Sequence, residues 1–201
     1  MALHRRLFLA ALLILPAALL AEPPSERLAA TATPQEEIAI FKTSLGTMAF
    51  RFYPEDAPNT VEHVKNLIRQ GFYDGKTFYR VVKGHVIQTG DIEGTTGPRV
   101  KGEFSTAHQH VAGTVGLARD EDPDSGTTEI YFCLAPRPHL DGKYAVFGQL
   151  IEGMDVLEKI GDVEVNEKFV ESGGNKVAFH EPKTPVVIEK AWLEARPAAL
   201  K

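Results

Sequence analysis

Between Glu37 and Ala195 the sequence breaks repeatedly into short apolar or alternating runs bounded by turn-forming residues, with 17 Gly and 13 Pro in the chain. Runs this short do not complete a helical stripe but do complete a strand, so the punctuation points to a β-rich fold. "EIAIFKTSLGTMAFRFY" reads as two strands joined near Ser44-Leu45-Gly46, and "FYRVVKGHVIQTGD" as two more around a Lys-Gly turn. "GTVGLA", "EIYFCLA" and "PVVIEKAWLEA" read as single strands, and "AVFGQLIEGMDVLEKIG" as a strand, a turn and a helix from about Met154 to Ile160. One longer run differs. In "PEDAPNTVEHVKNLIRQGFYDG", Val61, Val64, Leu67 and Ile68 recur at helical spacing, Asp56 can cap, Pro58 suits the first turn and Gly71 ends the helix. Residues 93–109 read as a long loop and residues 161–184 as a polar loop. The sum is mainly β, about eight strands and two helices, with a barrel whose ends the helices cover as the expected architecture.

Export is expected from the first 21 residues. Arg5 and Arg6 precede an unbroken apolar run from Leu7 to Ala21, shorter than the roughly 20 residues of a spanning helix. The reading is a signal peptide at 1–21, a Pro- and Ala-rich linker at 22–36, one domain at 37–196 and a tail at 197–201, with a periplasmic or secreted location and no stable membrane insertion after cleavage. Cys133 is the only cysteine, so the exported domain has no intramolecular disulfide and depends on its core. The net charge is −5, and removing the leader leaves 20 basic against 27 acidic side chains. A mildly acidic domain has no general attraction for nucleic acid or anionic lipid.

Arg80 stands out within its strand. Alternation puts it on one face with Phe78 and Val82, where a permanent cation is costly to desolvate. The next strand puts Val86, Gln88 and Gly90 together. In "EIYFCL", Ile130, Phe132 and Leu134 form the natural core face, leaving Glu129, Tyr131 and Cys133 on the other. If these strands are neighbours, Arg80, Gln88, Glu129, Tyr131 and Val86 share an outer face, which is either a small binding groove or a solvated exterior with one surface ion pair. His108 and His110 form an H-x-H pair that alternation places on one side of a strand, but two ligands do not make a metal site, and no metal or cofactor is expected. His63 reads as surface or packing, and the acidic run Asp120, Glu121, Asp122, Asp124 as a solvated loop.

Three stretches carry a resemblance that covers about Ile38 to Leu193. "APNTVEHVKNLIRQGFYDGKTFYRVVKGHVIQTGD", "GTVGLAR" and "HLDGKYAVFGQLIEGMDVLEKI", in that order, resemble the cyclophilin-type peptidyl-prolyl cis-trans isomerases, specifically their exported bacterial members. The resemblance implies a closed eight-stranded antiparallel barrel with two capping helices and a groove on its outer wall. It implies that Arg80 is the catalytic arginine and that Gln88, Val86 and Leu140 line the groove and its proline pocket. It implies that substrate runs along Ala118 and Arg119, whose backbone bonds it, and that Tyr144 belongs to the substrate-binding set. The partners it implies are proline-containing unfolded or nascent exported polypeptides, and a monomer is the expected state.

Several groove positions depart from the family's usual residues. His85 stands for a phenylalanine, Glu129 for a glutamine, Tyr131 for a phenylalanine, His139 for a large aromatic, and Thr89 for a glycine. His85 and Tyr131 are expected to make the pocket more polar, and Glu129 to pair with Arg80 and weaken its donation. The expectation is an isomerase of reduced activity. The alternative is a cyclophilin-fold peptide-binding or chaperone module with weak or no catalysis.

Overall fold

The computed structural model describes residues 35–92, 97–172 and 175–198. The signal peptide read at 1–21, residues 22–34 of the linker and the last residues of the tail lie outside them. β1 (Gln35–Thr43) and β2 (Gly46–Phe52) form the first hairpin, turning at Ser44-Leu45 as the sequence predicts. β1 takes in Gln35 and Glu36, assigned above to the linker, because they pair with Pro197 and Arg196 of the final strand. α1 (Pro58–Arg69) follows, then β3 (Arg80–Val82), β4 (Val86–Thr89), β5 (Thr114–Leu117) and β6 (Ile130–Cys133). A 3₁₀ turn at Pro138–Leu140 leads to β7 (Val146–Glu152) and α2 (Met154–Gly161).

Residues 161–184 are not the featureless loop expected. They carry β8 (Val165–Asn166), β9 (Phe169–Ser172), β10 (Asn175–Ala178) and β11 (Glu181–Pro182), as two small antiparallel pairs, β9 with β10 and β8 with β11. β12 (Ile188–Pro197) closes the fold.

The main sheet has eight antiparallel strands in the order β12-β1-β2-β7-β5-β6-β4-β3. It curls until the segment before β3 meets the segment before β12. There Thr77 and Val187 form an isolated bridge, Phe78 N–H donates to the Val186 carbonyl at 3.0 Å, and Ile188 N–H to that of Lys76 at 2.7 Å. The expected eight-stranded barrel with two helices is therefore the fold, its seam closed by a bridge rather than by a ladder.

Alternation fills the interior. Phe41, Phe50 and Phe132 are wholly buried and meet edge-on with ring centroids 5.5–6.2 Å apart, each such pair adding about 0.5–1.5 kcal/mol beyond burial. α1 covers this core with Val61, Val64, Leu67 and Ile68, and α2 with Val156, Leu157 and Ile160.

Asp56 does not cap α1. Its carboxylate is taken by Ser105 and His108. Glu103 caps instead, accepting the N–H groups of Asn59 and Thr60 at 3.1 and 2.8 Å and both their side chains. A carboxylate at a helix N-terminus satisfies orphan donors and complements the dipole. Gly71 ends α1 in the left-handed conformation, with Gly71 N–H on the Ile68 carbonyl and Phe72 N–H on that of Leu67.

Candidate active site

The curl brings β5, β6, β4 and β3 side by side, and their register lines up one cross-strand row on the outer face. Arg80 pairs with Gln88, Gln88 with Tyr131, and Tyr131 with Gly116. The next row sets Val82 opposite Val86 and Val86 opposite Cys133. The neighbourhood on which the groove reading depended is therefore present. Phe78 is the exception to the predicted face: it lies in the core, because the ladder starts only at Arg80 and its backbone turns to Val186. Val81 is the inward residue of β3.

Arg80 is half-buried and held from two sides. Its Nε donates to the Ala178 carbonyl at 2.9 Å and its Nη1 to Gln88 Oε1 at 3.0 Å. Nη2 makes no hydrogen bond within the described residues. Glu129 does not form the expected ion pair with Arg80. It accepts hydrogen bonds from the Tyr79 hydroxyl and from Gln88 Nε2 at 3.3 Å, so the amide of Gln88 stands between carboxylate and guanidinium. Glu129 thereby fixes which end of Gln88 faces Arg80. Burial raises the Glu129 carboxyl above its ordinary range, with the Tyr79 hydrogen bond opposing the shift. Burial likewise lowers the Arg80 pKa, though a guanidinium stays charged in the working range.

Beside Arg80 lies an apolar hollow. Val86, Tyr131 and Cys133 are buried in one cluster, with Ala118, Leu140 and Tyr144 packed against it. Burial pushes the Cys133 thiol up to about 12, so it is a small apolar group here rather than a nucleophile. Tyr131 lies across Gly116, where an added Cβ would come within 2.3 Å of its Cζ and Oη. Its hydroxyl meets Nε2 of His110 at 2.9 Å, and His110 Nδ1 meets Asp141 Oδ1 at 2.7 Å. The phenol thus spends its polar end on a wholly buried histidine and leaves the hollow an aromatic floor, so the polarity expected of Tyr131 is absorbed below the pocket. His110 and His108 do not share a strand face: His108 stacks on Tyr53 and bonds Asp56, while His110 serves Tyr131. Among the described residues no three or more His, Cys, Asp or Glu are placed to hold a metal.

His85 is a turn residue between β3 and β4. The Leu134 N–H donates to its carbonyl at 2.9 Å, and its ring stacks on the exposed His139 at 5.9 Å. Burial, helped by the charges of Arg137 and Arg80, lowers the His85 pKa to about 4, so it enters the pocket as a neutral ring. Thr89, read as a departure, is buried and donates to the Thr77 carbonyl at 2.9 Å. Arg119 covers Tyr144 at 4.6 Å and its guanidinium bonds the Lys143 carbonyl, while its own backbone N–H and C=O make no hydrogen bond within the described residues. The adjacent Ala118 N–H is already taken by the Glu129 carbonyl.

A cavity of about 410 Å³ joins these groups. Arg80, His85, Val86, Gln88, Ala118 and Arg119 line it, as do Glu129, Tyr131, Leu140 and Tyr144. Of the predicted set only His139 stays outside, acting through its stack on His85. Six further residues that the sequence pattern does not place at the groove line it as well: Tyr79, Ile92, Asp120, Val170, Val177 and Phe179. Tyr79 had a signal, as the aromatic neighbour of an isolated strand arginine. The last three belong to the segment read as loop.

The chain from residue 38 to residue 191 matches the family described as "Cyclophilin type peptidyl-prolyl cis-trans isomerase/CLD". Peptidyl-prolyl cis-trans isomerase CYP23 of Arabidopsis thaliana is 37% identical over 65% of this chain and 63% of its own length, so this chain spans less than two thirds of that relative. A probable peptidyl-prolyl cis-trans isomerase of Brucella abortus is 34% identical over 83% of this chain and 87% of its own. A crystal structure of a cyclophilin type isomerase of Cryptosporidium parvum, in the presence of the dipeptide Ala-Pro, superposes with a TM-score of 0.68 at 20% identity. It covers 78% of this chain and 98% of that one, a likeness of fold. The match runs from β1 into β12, so this chain belongs to the cyclophilin-type peptidyl-prolyl cis-trans isomerases.

Proposed function

We propose that the chain isomerises X-Pro bonds in exported polypeptides, with Arg80 donating to the prolyl nitrogen of the twisted amide. The observation that carries the reading is Arg80 itself: a guanidinium clamped by Ala178 and Gln88, with Nη2 unengaged among the described residues, at the rim of a hollow floored by Val86, Tyr131 and Leu140. The barrier to rotation is about 18–20 kcal/mol and comes from amide resonance. Twisting removes that resonance and leaves a lone pair on the prolyl nitrogen. A donor already fixed beside the nitrogen bonds it better in the twisted state than in the planar one, and this difference lowers the barrier. The hollow holds the ring while the preceding carbonyl swings, and the backbone N–H and C=O of Arg119 bind the peptide alongside. Clamping matters because an arginine that must reorganise would lose much of that difference.

Arg5, Arg6 and the apolar run Leu7–Ala21 support delivery to the periplasm or beyond, where newly translocated chains supply proline substrates. Uncatalysed isomerisation takes tens to hundreds of seconds, slow enough to follow by solvent-jump spectroscopy on X-Pro tetrapeptides. Wild-type protein is expected to shorten that relaxation in proportion to its concentration. A relaxation that stays at the solvent rate contradicts the proposal.

A further inference from the structure

β3 is the last strand of the ladder, but its free edge does not face water. The β8–β11 segment runs along it: Val81 N–H donates to the His180 carbonyl at 2.8 Å, Arg80 Nε to that of Ala178 at 2.9 Å, and the ring of Tyr79 stacks on Phe179 at 5.9 Å. This contact seats the β9–β10 hairpin at the groove. Val170 and Val177 are directly opposed in that hairpin, and both line the cavity, with Phe179 and Ile92 beside them. Val170 is 42% exposed and Ile92 55% exposed. The cavity therefore has two apolar parts, the hollow at Val86, Tyr131 and Leu140 and this second wall, with Arg80 between them.

Resting on the isomerase reading above, we propose that the β9–β10 hairpin forms a subsite for a large apolar side chain, aliphatic or aromatic, of the same polypeptide whose proline fills the hollow. Continuity fixes the occupant, because one cavity runs from Leu140 past Arg80 to Val170. The strand order fixes its place on the peptide. Arg119 follows β5 on one side of the hollow, and the hairpin lies beyond β3 on the other. Strands lie about 4.8 Å apart, so the hairpin is about 10 Å beyond the hollow, or ~3 residues of extended chain. The side chain thus sits two or three residues from proline, on the side away from the stretch along Arg119. The charged groups of the lining, Arg80 and Arg119 against Asp120 and Glu129, balance, so the apolar wall and not a net charge selects the occupant, and Asp is expected to bind no tighter than Gly.

The test uses fluorescent proline peptides carrying Gly, Leu or Asp at the second and third positions on either side of proline. Dissociation constants are measured with the full protein and with Arg80→Ala, alongside isomerisation rates. Leu is expected to bind about tenfold tighter than Gly, on one side of proline only. Val170→Thr keeps the branched strand residue and adds a hydroxyl; it is expected to bring that ratio close to one, as is Val177→Thr, with thermal melts confirming that both fold. A Leu-to-Gly ratio near one in the wild type, or a ratio that neither variant moves, overturns the subsite. Absent turnover with the ratio intact removes the isomerase reading and leaves the subsite, whereas turnover with a ratio of one does the reverse.

Discussion

Tyr131→Phe tests the buried network beneath the hollow. The substitution keeps the ring and removes only the hydroxyl that meets His110 Nε2 at 2.9 Å. Hydrogen bonds from His110 hold the Asp141 carboxyl below the ordinary carboxylate range, so Asp141 is ionised and the Nδ1 facing it carries the proton. In neutral His110 the other nitrogen is then an acceptor and Tyr131 the donor. The His110 side chain is 0% exposed, so water cannot replace the lost partner. An unsatisfied buried acceptor costs about 1–3 kcal/mol, and in a domain of this size each kcal/mol lowers Tm by about 2–4 °C. The expected fall is ~2–12 °C, read by circular dichroism. A double-mutant cycle with His110→Ala is expected to give a coupling of at least about 0.5 kcal/mol. Tyr131→Ala, which also removes the aromatic floor, is expected to raise KM as well. An unchanged Tm for Tyr131→Phe, or additive single effects, would refute the network.

Three further outcomes follow from the same geometry. Gly116→Ala drives a methyl into the Tyr131 ring and is expected to cost about 1–3 kcal/mol by overpacking; an unchanged urea midpoint contradicts it. Because burial raises the Glu129 carboxyl, the unfolded chain ionises it first, and the native state loses stability as pH rises from the ordinary carboxylate range through the raised value. Glu129→Gln removes that loss, so its stability relative to wild type should be greater at about pH 7 than at about pH 4, and an equal difference at both contradicts it. His85, neutral above about pH 4, contributes no titration near neutrality, so the ratio of His85→Phe to wild-type kcat/KM should stay flat from about pH 6 to about pH 8; a step near pH 6.5 contradicts it.

The sequence made the groove face legible because its residues come from strands long enough to alternate. Gln88, Tyr131 and Val86 announce their side by what lies between them, Ile87, Ile130 and Phe132, all wholly buried. Partners distant in sequence were not legible. Glu103 caps α1 from 44 residues away, and His110 finds Tyr131 and Asp141 at separations of 21 and 31. Neither has a local pattern, so sequence alone offers Asp56 as the cap and His110 as half of an H-x-H pair. The hairpin wall is hidden in the sequence for a different reason. Its strands are two to four residues long and mix Phe169, Val170 and Val177 with charged residues, which mimics a polar loop. Glu129 shows the limit of pairing by proximity: a carboxylate near an arginine suggests an ion pair, but the Gln88 amide bridges the two.

Arg80 either lowers the rotational barrier or merely helps to hold the peptide, and exchange NMR on bound X-Pro peptide separates the two most directly. It reads the cis–trans interconversion rate on the protein at saturating peptide, together with Kd. With Arg80→Ala, the interconversion rate is expected to fall by about 10²–10³, a far larger factor than any change in Kd. An unchanged interconversion rate in that variant would contradict a catalytic Arg80 and leave the groove as a peptide-binding site.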